Sequence, residues 1–418
     1  MACMIIGGGV AGFQAAAACR TAWPDRAVTL IDREGEAGYY RALLPQFMVG
    51  EIAEEKLFFP PRESDPLLTV LRGIRVLSLD RKERRVGLEN GEALAYDGLI
   101  LAHGGDPYIP DILASARCRG VFPVRDLTAA RATKDWLAHH RSVLVFGGSL
   151  VAVKTAVYLR LAGFDVSIVV RRGHLLLRAL STEAALIVEN HLREMGIGLH
   201  VNAPLEDVRV SGGAISGIQA GGRWIDCDTL LVAAGTSTDT SFLAGSGLLT
   251  DGALIVNPAL RTSDPRIFAA GDAAVITAGG EAVNPGTWPQ AASQGRRAAE
   301  NLFRGNALPL TDLTRINAME LHGLAMVILG PPVEGAEVIC YERPEANIRR
   351  ELFLVEGKPV GGALIGDISA AGPLHTLILA GRRISGEEAS LLRPRTGSVI
   401  RFQHRPVRRE GMIVTPAG

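Results

Sequence analysis

Gly7, Gly9 and Gly12 have the spacing G-x-G-x-x-G, directly after the apolar run Met4-Ile5-Ile6 and before an alanine-rich stretch that ends near Ala22. Glycines placed this way serve phosphate chemistry. Gly7 permits a tight turn, Gly9 lets a pyrophosphate approach the backbone, and Gly12 lets helix and strand pack closely. A helix starting here offers unpaired N–H groups and a partial positive charge to the phosphates. Asp32 lies twenty residues after Gly12, at the end of the run Val28-Thr29-Leu30-Ile31. A carboxylate there can accept hydrogen bonds from both hydroxyls of an adenosine ribose. The bland alternative is a tight turn with a surface aspartate; strand, helix and acid together weigh against it.

A second cluster follows about 140 residues later. The run Ser142 to Phe146 leads into Gly147-Gly148-Ser149-Leu150-Val151-Ala152, a helical stretch to about Ala162, and the run Val166 to Val170. Gly147 keeps the turn, whereas Ser149 and Ala152 stand at the other two glycine positions. No acid closes the second strand: Val170 stands where Asp32 stands in the first unit, and Arg171-Arg172 follow. Two guanidinium groups there suit a 2′-phosphate, and so NADP. Equally, one arginine stacks on adenine and the dinucleotide is NAD; a vestigial site is the third reading. Repetition of the whole layout is more specific than either cluster alone.

These motifs need two βαβ units to position them, and the 418 residues suffice for two to three domains. Lys+Arg and Asp+Glu are equal at 44 each, so no bulk charge draws the chain to nucleic acid or an anionic membrane. The short basic stretches Arg81 to Arg85 and Arg405 to Arg409 read as solvated faces or turns. Cys3, Cys19, Cys118, Cys227 and Cys340 have no C-x-x-C spacing, which argues against a locally built redox dithiol, zinc site or iron–sulfur cluster. Scattered thiols, mostly buried, fit a cytoplasmic protein. No apolar run reaches the ~18 residues of a membrane span, and the N-terminus reads as a strand and not a signal peptide. His139, His140 and His191 read as solvated helix positions. The last hundred residues alternate strand-like runs with Gly and Pro, as in a small α+β domain.

The chain resembles the two-dinucleotide-binding-domain flavoprotein reductases, the glutathione-reductase-like superfamily. The resemblance spans about residues 3 to 305. Tyr96 to Gly104 resembles the second FAD-side fingerprint, with His103 where threonine is usual, and Leu230 to Gly235 resembles its counterpart behind the nicotinamide domain. Arg261 to Asp272 is similar to the most diagnostic stretch, in which the aspartate matching Asp272 bonds the ribityl chain of FAD. Trp288-Pro289-Gln290-Ala291 resembles the segment against the flavin ring. Tyr39 to Phe47 lacks the cysteines of disulfide reductases and NADH oxidases, and resembles the rubredoxin-reductase-like and nitrite-reductase-N-terminal-like group, whose arginine here approaches the flavin. Lys154 departs from the glutamate common at its position. His103 is either a satisfied packing histidine or a flavin-tuning donor.

The expected fold is α/β: two Rossmann-like domains, for FAD and NAD(P), plus a small α+β C-terminal domain. The expected boundaries are 1–115 and 241–309 for FAD, 116–240 for NAD(P), and 310–418 for the C-terminal domain. On the FAD side the resemblance implies cofactor contacts at Gly7, Gly9, Ala11, Gly12, Asp32, Arg33, Arg41, Pro45, Val76, Ala102, His103, Gly104, Gly271, Asp272, Trp288, Pro289, Gln290 and Ala291. On the other side it implies Gly147, Ser149, Leu150, Arg171, Arg172 and Gly235. No side chain is needed as a covalent catalyst, and no metal is expected. The implied activity is an FAD-dependent NAD(P)H oxidoreductase exchanging electrons with a separate iron–sulfur protein such as rubredoxin, or with an iron–sulfur subunit of an NAD-linked aldehyde- or 2-oxoacid-oxidising complex. Two rivals are a relay or assembly subunit with a dead nicotinamide site, and an oxidase using O2.

Overall fold

The computed structural model describes residues 2–59, 65–278, 281–284, 286–304, 307–310 and 316–393. The basic stretch at Arg405 to Arg409 therefore lies outside the described residues, as does part of the expected linker at 305–309. Two compact units emerge: one of Met1–Gly147, Asp207–Gln219 and Trp224–Leu313, the other of Gly148–Glu206, Ala220–Arg223 and Thr314–Gly418.

The first unit is built on a parallel sheet in the order Ile267–Ala269, Gly98–Leu101, Cys3–Ile6, Val28–Asp32, Leu68–Arg72. Cys3 pairs with Val28 on one side and Gly98 on the other, and Ile31 pairs with Leu71. The central strands are buried along their whole length, so they are continuous apolar runs with no polar alternation. The helix Val10–Ala22 buries Ala11, Gly12, Ala15, Ala16 and Cys19, a stripe of small residues at helical spacing. That stripe lets the helix Trp288–Leu302 approach closely. A Cβ at Gly295 would lie 2.0 Å from the Ala11 carbonyl oxygen, so only glycine fits this crossing. Val76–Asp80, Arg85–Leu88 and Ala93–Ala95 form a separate antiparallel sheet. Ser142–Phe146 and Val121–Pro123 both pair in parallel with Thr229–Val232.

In the second unit the helix Leu150–Leu161 precedes the strand Asp165–Val169, which pairs in parallel with Gly198–His200. The C-terminal part is an antiparallel sheet in the order Ile316–Glu320, Ala325–Leu329, Lys358–Ile365, Ile348–Val355, Glu337–Arg343. The helix Ala371–Ala380 contributes Leu374 and Leu377 to the core against this sheet. This is the α+β layout expected from the sequence. Buried Glu351 in this sheet accepts hydrogen bonds from Ser181 Oγ at 2.9 Å and Arg349 Nε at 3.0 Å.

The turn expected at Arg81 to Arg85 is present over residues 81–84, with residues 82–85 exposed, while His140 and His191 are corrected. His139 and His140 lie just past the end of the helix Leu127–Leu137, and the His140 ring stacks on Trp136 at 4.0 Å. His191 lies on the helix Thr182–Glu194 but is not simply solvated: its Nε2 donates to the Leu321 carbonyl at 2.6 Å. Arg81 is tied to Asp264 at 3.1 Å and to the Ser246 carbonyl at 2.8 Å. For His191 and Arg81 a distant segment supplies the partner, which local charge patterning does not show.

Candidate dinucleotide sites

The turn at Gly7 is set by backbone geometry. Gly7 has φ +109°, and a Cβ there would sit 2.2 Å from the Ala102 carbonyl oxygen. A Cβ at Gly12 would sit 1.9 Å from the Gly7 carbonyl oxygen, whereas one at Gly9 would meet nothing within 4 Å. The turn is thus closed at its two outer glycines and open at the middle one. Gly9 caps the helix without any side-chain hydrogen bond, so the first N–H groups face that opening uncapped.

Asp32 ends its strand beside this turn. Its Oδ1 accepts from the Glu34 N–H at 3.3 Å, while Oδ2 is buried without a partner among the described residues. Burial, reinforced by Glu34, pushes its carboxyl from 3.8 up to about 6. A buried acceptor left bare is costly, and hydroxyl donors arriving there relieve the cost. Open glycine turn, uncapped helix end and bare carboxylate together fit the pyrophosphate and ribose of a dinucleotide.

Around this turn the structure assembles a polar chain. Arg41 donates to Glu34 Oε1 at 2.6 Å, to the Tyr39 hydroxyl at 2.6 Å and to the Arg125 carbonyl at 3.0 Å. Tyr39 in turn donates to Glu34 Oε2 at 2.5 Å. Arg125 spans Gly105 and Asp272: Nε donates to the Gly105 carbonyl at 3.0 Å and Nη2 to Asp272 Oδ2 at 3.1 Å. The Gly271 N–H donates to Gln294 Oε1 at 2.7 Å, and Gly271 has φ +72°. Trp288 opens its helix behind the Thr287 cap and stacks on Tyr40 with centroids 5.8 Å apart. Arg125 was not among the expected contacts, whereas Gln294 lies in the segment whose resemblance places it against the flavin ring. Nothing in the local sequence singles out Arg125; only the fold brings it to Asp272.

The other expected positions lie as follows. Arg33 is ion-paired with Asp106. Pro45 is buried in the short helix Leu44–Met48, and Val76 is buried in the antiparallel sheet, paired with Leu88. Ala11, Ala102 and Ala291 are buried, Gly104 has φ +69°, and Pro289 and Gln290 lie in the first turn of the helix that Trp288 opens. His103 is not a satisfied packing histidine. Both ring nitrogens are buried without a hydrogen-bond partner among the described residues, and the ring lies edge-on to Phe242 at 5.0 Å. Burial holds its imidazole down at about 4, so it is neutral near pH 7.

At the second turn, Gly147 has φ +139° and a Cβ there would sit 2.3 Å from the Ala233 carbonyl oxygen, which repeats the Gly7 geometry. Gly235 also has positive φ, +114°. Ser149 caps the helix that begins at Leu150: its Oγ accepts from the Ala152 N–H at 3.3 Å. Val170 is buried, and Arg171 and Arg172 are exposed.

Cys3 and Cys19, sixteen residues apart, have sulfurs 3.3 Å apart, because strand and helix of one βα unit carry them. Both are buried, and the hydrogen bond to Cys19, with burial, pushes the Cys3 thiol well above its usual range. Such a thiol forms little thiolate near neutral pH. Among the described residues no cluster of His, Cys, Asp and Glu could hold a metal ion, and no helix is long and apolar enough to cross a membrane.

Residues 1–295 match the family model described as pyridine nucleotide-disulphide oxidoreductase. The chain is 25% identical over 420 residues to an NADH oxidase of Methanocaldococcus jannaschii, covering 93% of each. It is 30% identical over 277 residues to the ferredoxin–NAD(+) reductase component of a biphenyl dioxygenase system of Paraburkholderia xenovorans, covering 65% of this chain and 66% of that one. The fold matches the crystal structure of a ferredoxin reductase from Rhodopseudomonas palustris with TM-score 0.85 and 24% identity, over 93% of this chain and 96% of that one. The chain is an FAD-dependent oxidoreductase with NAD(P)H as co-substrate, and it belongs to the pyridine nucleotide-disulphide oxidoreductase family.

Proposed function

We propose that the chain carries electrons between NAD(P)H and a separate iron–sulfur protein or subunit. When bound, FAD would supply hydride exchange with the nicotinamide and one-electron exchange with the partner. The residues of this chain hold and orient it. The N–H groups at Gly9 to Gly12 would receive its pyrophosphate, Asp32 Oδ2 would accept from its adenosine ribose, and Asp272, held by Arg125, would meet the ribityl chain. Tyr39, Glu34 and Arg41 form a hydrogen-bonded brace that fixes the loop leading to Pro45, and Trp288, stacked on Tyr40, would lie against the flavin ring. The same proposal assigns FAD binding to 1–115 and 241–309, nicotinamide binding to 116–240, and a cytoplasmic setting, with membership of a larger NAD-linked complex as its furthest extension.

The single observation that carries the flavin site is the bare, buried Asp32 oxygen beside an open glycine turn. An outside acceptor is supported by the thiols. The loop from Tyr39 to Phe47 has no cysteine, and the one close thiol pair among the described residues is buried with a raised Cys3 thiol. Among the described residues, electrons therefore have no second thiol station. The test is anaerobic. NADH or NADPH is added to the yellow protein, followed by oxidised rubredoxin or a [2Fe–2S] ferredoxin, and the iron–sulfur absorbance is followed. Bleaching of the flavin and then of the iron–sulfur centre is expected. No flavin bleaching with either nucleotide would instead favour a relay subunit, and O2 turnover as fast as any protein acceptor would favour an oxidase.

A further inference from the structure

We propose that Glu351 of the C-terminal sheet is a positioning residue for the second dinucleotide site: through the Ser181 hydroxyl it holds the helix Thr182–Glu194 and the segment that fastens this helix to the glycine turn at Gly148. The inference rests on the nicotinamide-binding reading above. All of its contacts lie within the second compact unit.

Glu351 is out of place as a packing residue. It sits midway along the strand Ile348–Val355 and is fully buried, and the next residue on its face is buried Phe353. Its Oε2 accepts from Ser181 Oγ at 2.9 Å and from Arg349 Nε at 3.0 Å, while Oε1 has no hydrogen-bond partner among the described residues. Arg349, also buried, reaches Glu342 Oε2 with Nη1 at 2.6 Å. A buried ion pair seldom stabilises a core more than apolar side chains of the same size would. Stability alone therefore does not account for an acid here. Among the described residues, the side-chain hydrogen bond that leaves its own sheet goes to Ser181.

Ser181 passes that constraint on. Its Oγ accepts from the Ala184 N–H at 3.1 Å, which caps the helix Thr182–Glu194. A hydroxyl that donates its one proton to Glu351 turns its lone pairs to the helix, so the carboxylate fixes the cap. Five residues earlier, the Leu176 N–H donates to the Gly148 carbonyl at 2.8 Å, and the Leu176 carbonyl accepts from the Ala179 and Leu180 N–H groups at 2.7 and 3.0 Å. One tight turn thus separates the capping serine from the glycine turn. Leu176 is buried and takes φ +58°, a conformation a leucine adopts only when its surroundings impose it. The helix is tied twice more. Glu189 Oε1 accepts from the Leu175 N–H at 3.0 Å, and His191 Nε2 donates to the Leu321 carbonyl at 2.6 Å. Ser181 and His191 anchor the two ends of the helix to the C-terminal part, and Glu189 anchors it to the segment behind the glycine turn.

Backbone N–H groups at such a turn grip phosphate only when they are held in place, and supporting residues that lock the turn lower the ordering cost of binding. Glu351 supplies that support from outside the βαβ unit, which gives the C-terminal sheet a part in nucleotide binding.

The test is calorimetric titration of the FAD-loaded, full-length protein with NAD+ and with NADP+, neither of which reduces the flavin. S181A and E351L remove the donor and the acceptor of the tie. Each should weaken the better-bound nucleotide about 3- to 10-fold, as changes remote from a ligand do. S181A/E351L should be no weaker than either single variant. S181T and E351Q, which keep a hydroxyl and an acceptor oxygen, should bind like the wild type. The flavin-to-protein absorbance ratio should hold throughout, because the turn at Gly7 belongs to the first unit. A merely packing role would move the melting temperature and leave nucleotide affinity alone; that result overturns the inference, as do losses that add in the double variant. Should E351L fail to fold, S181A against S181T decides the question. If the wild type binds one nucleotide and the variants match it, only this inference falls. If the wild type binds neither, and neither NADH nor NADPH bleaches its flavin, the nicotinamide reading falls with it.

Discussion

The turns at Gly7 and Gly147 share a backbone and differ in everything attached to it. Both lead glycines have strongly positive φ, +109° and +139°, and both would drive a Cβ into a carbonyl oxygen of the neighbouring strand end. Beyond that they diverge. The first helix starts uncapped at Gly9, while the second is capped by Ser149. The first strand pair ends on a buried acid with a bare oxygen, the second on buried Val170 followed by exposed arginines. Turn geometry therefore declares only that a dinucleotide can sit there. The cap and the residue at the strand end are where the two turns differ.

The sharpest way to break the comparison is Gly7→Ala. The added methyl meets the Ala102 carbonyl at 2.2 Å in a backbone region that alanine avoids. Loss of bound FAD and of most soluble protein is expected, read by the flavin-to-protein absorbance ratio; an alanine variant that retains flavin stoichiometrically would refute the closed-turn argument.

Asp32→Asn comes next. Lifting that carboxyl from 3.8 to about 6 is worth roughly 3 kcal/mol between its two protonation states. Charge-assisted hydrogen bonds from ribose hydroxyls contribute about 1.5–3 kcal/mol, so the variant should bind FAD about 10- to 100-fold more weakly, measured by quenching of flavin fluorescence. The same shift fixes a sign for the FAD-free protein. Its folded value lies above the unfolded one, so Asp32's contribution to stability is full below about 4 and is lost as pH rises through about 6. Thermal melts of apo wild type and D32N from pH 4 to 7 should converge at the acid end and separate towards neutrality, with wild type the less stable there.

Arg125→Gln should have a smaller effect, since it removes one ion pair to a partly exposed Asp272. A loss of several-fold in FAD affinity is expected, with the melting temperature little changed. Ser149→Ala is the smallest, and it isolates the second turn. Removing the cap should cost about 1 kcal/mol of stability and leave FAD affinity unchanged. A drop in FAD affinity from S149A would show that the two turns do not act separately.

Much of this site could be read along the chain because a βαβ unit concentrates it within 26 residues, from Gly7 to Asp32. Glycine spacing, the alanine stripe and the terminal acid are local signals, and local signals survive in sequence. Arg125 could not be found that way: it meets Asp272 across 147 residues of chain, and a lone arginine before Asp126 looks like any surface residue. The Cys3–Cys19 contact was hidden for the same reason, since sixteen-residue spacing has no meaning until strand and helix pack. His103 was visible as an oddity, but only the packing shows that its ring nitrogens are left bare.

The most direct test of the account is the pH dependence of FAD retention in wild type and D32N, followed by flavin fluorescence on dilution between pH 8 and pH 4.5. Binding favours the ionised Asp32, so wild-type affinity should fall as pH drops through about 6, and D32N should show weak, nearly flat binding across that window. Tight, pH-independent FAD binding in both proteins would contradict it.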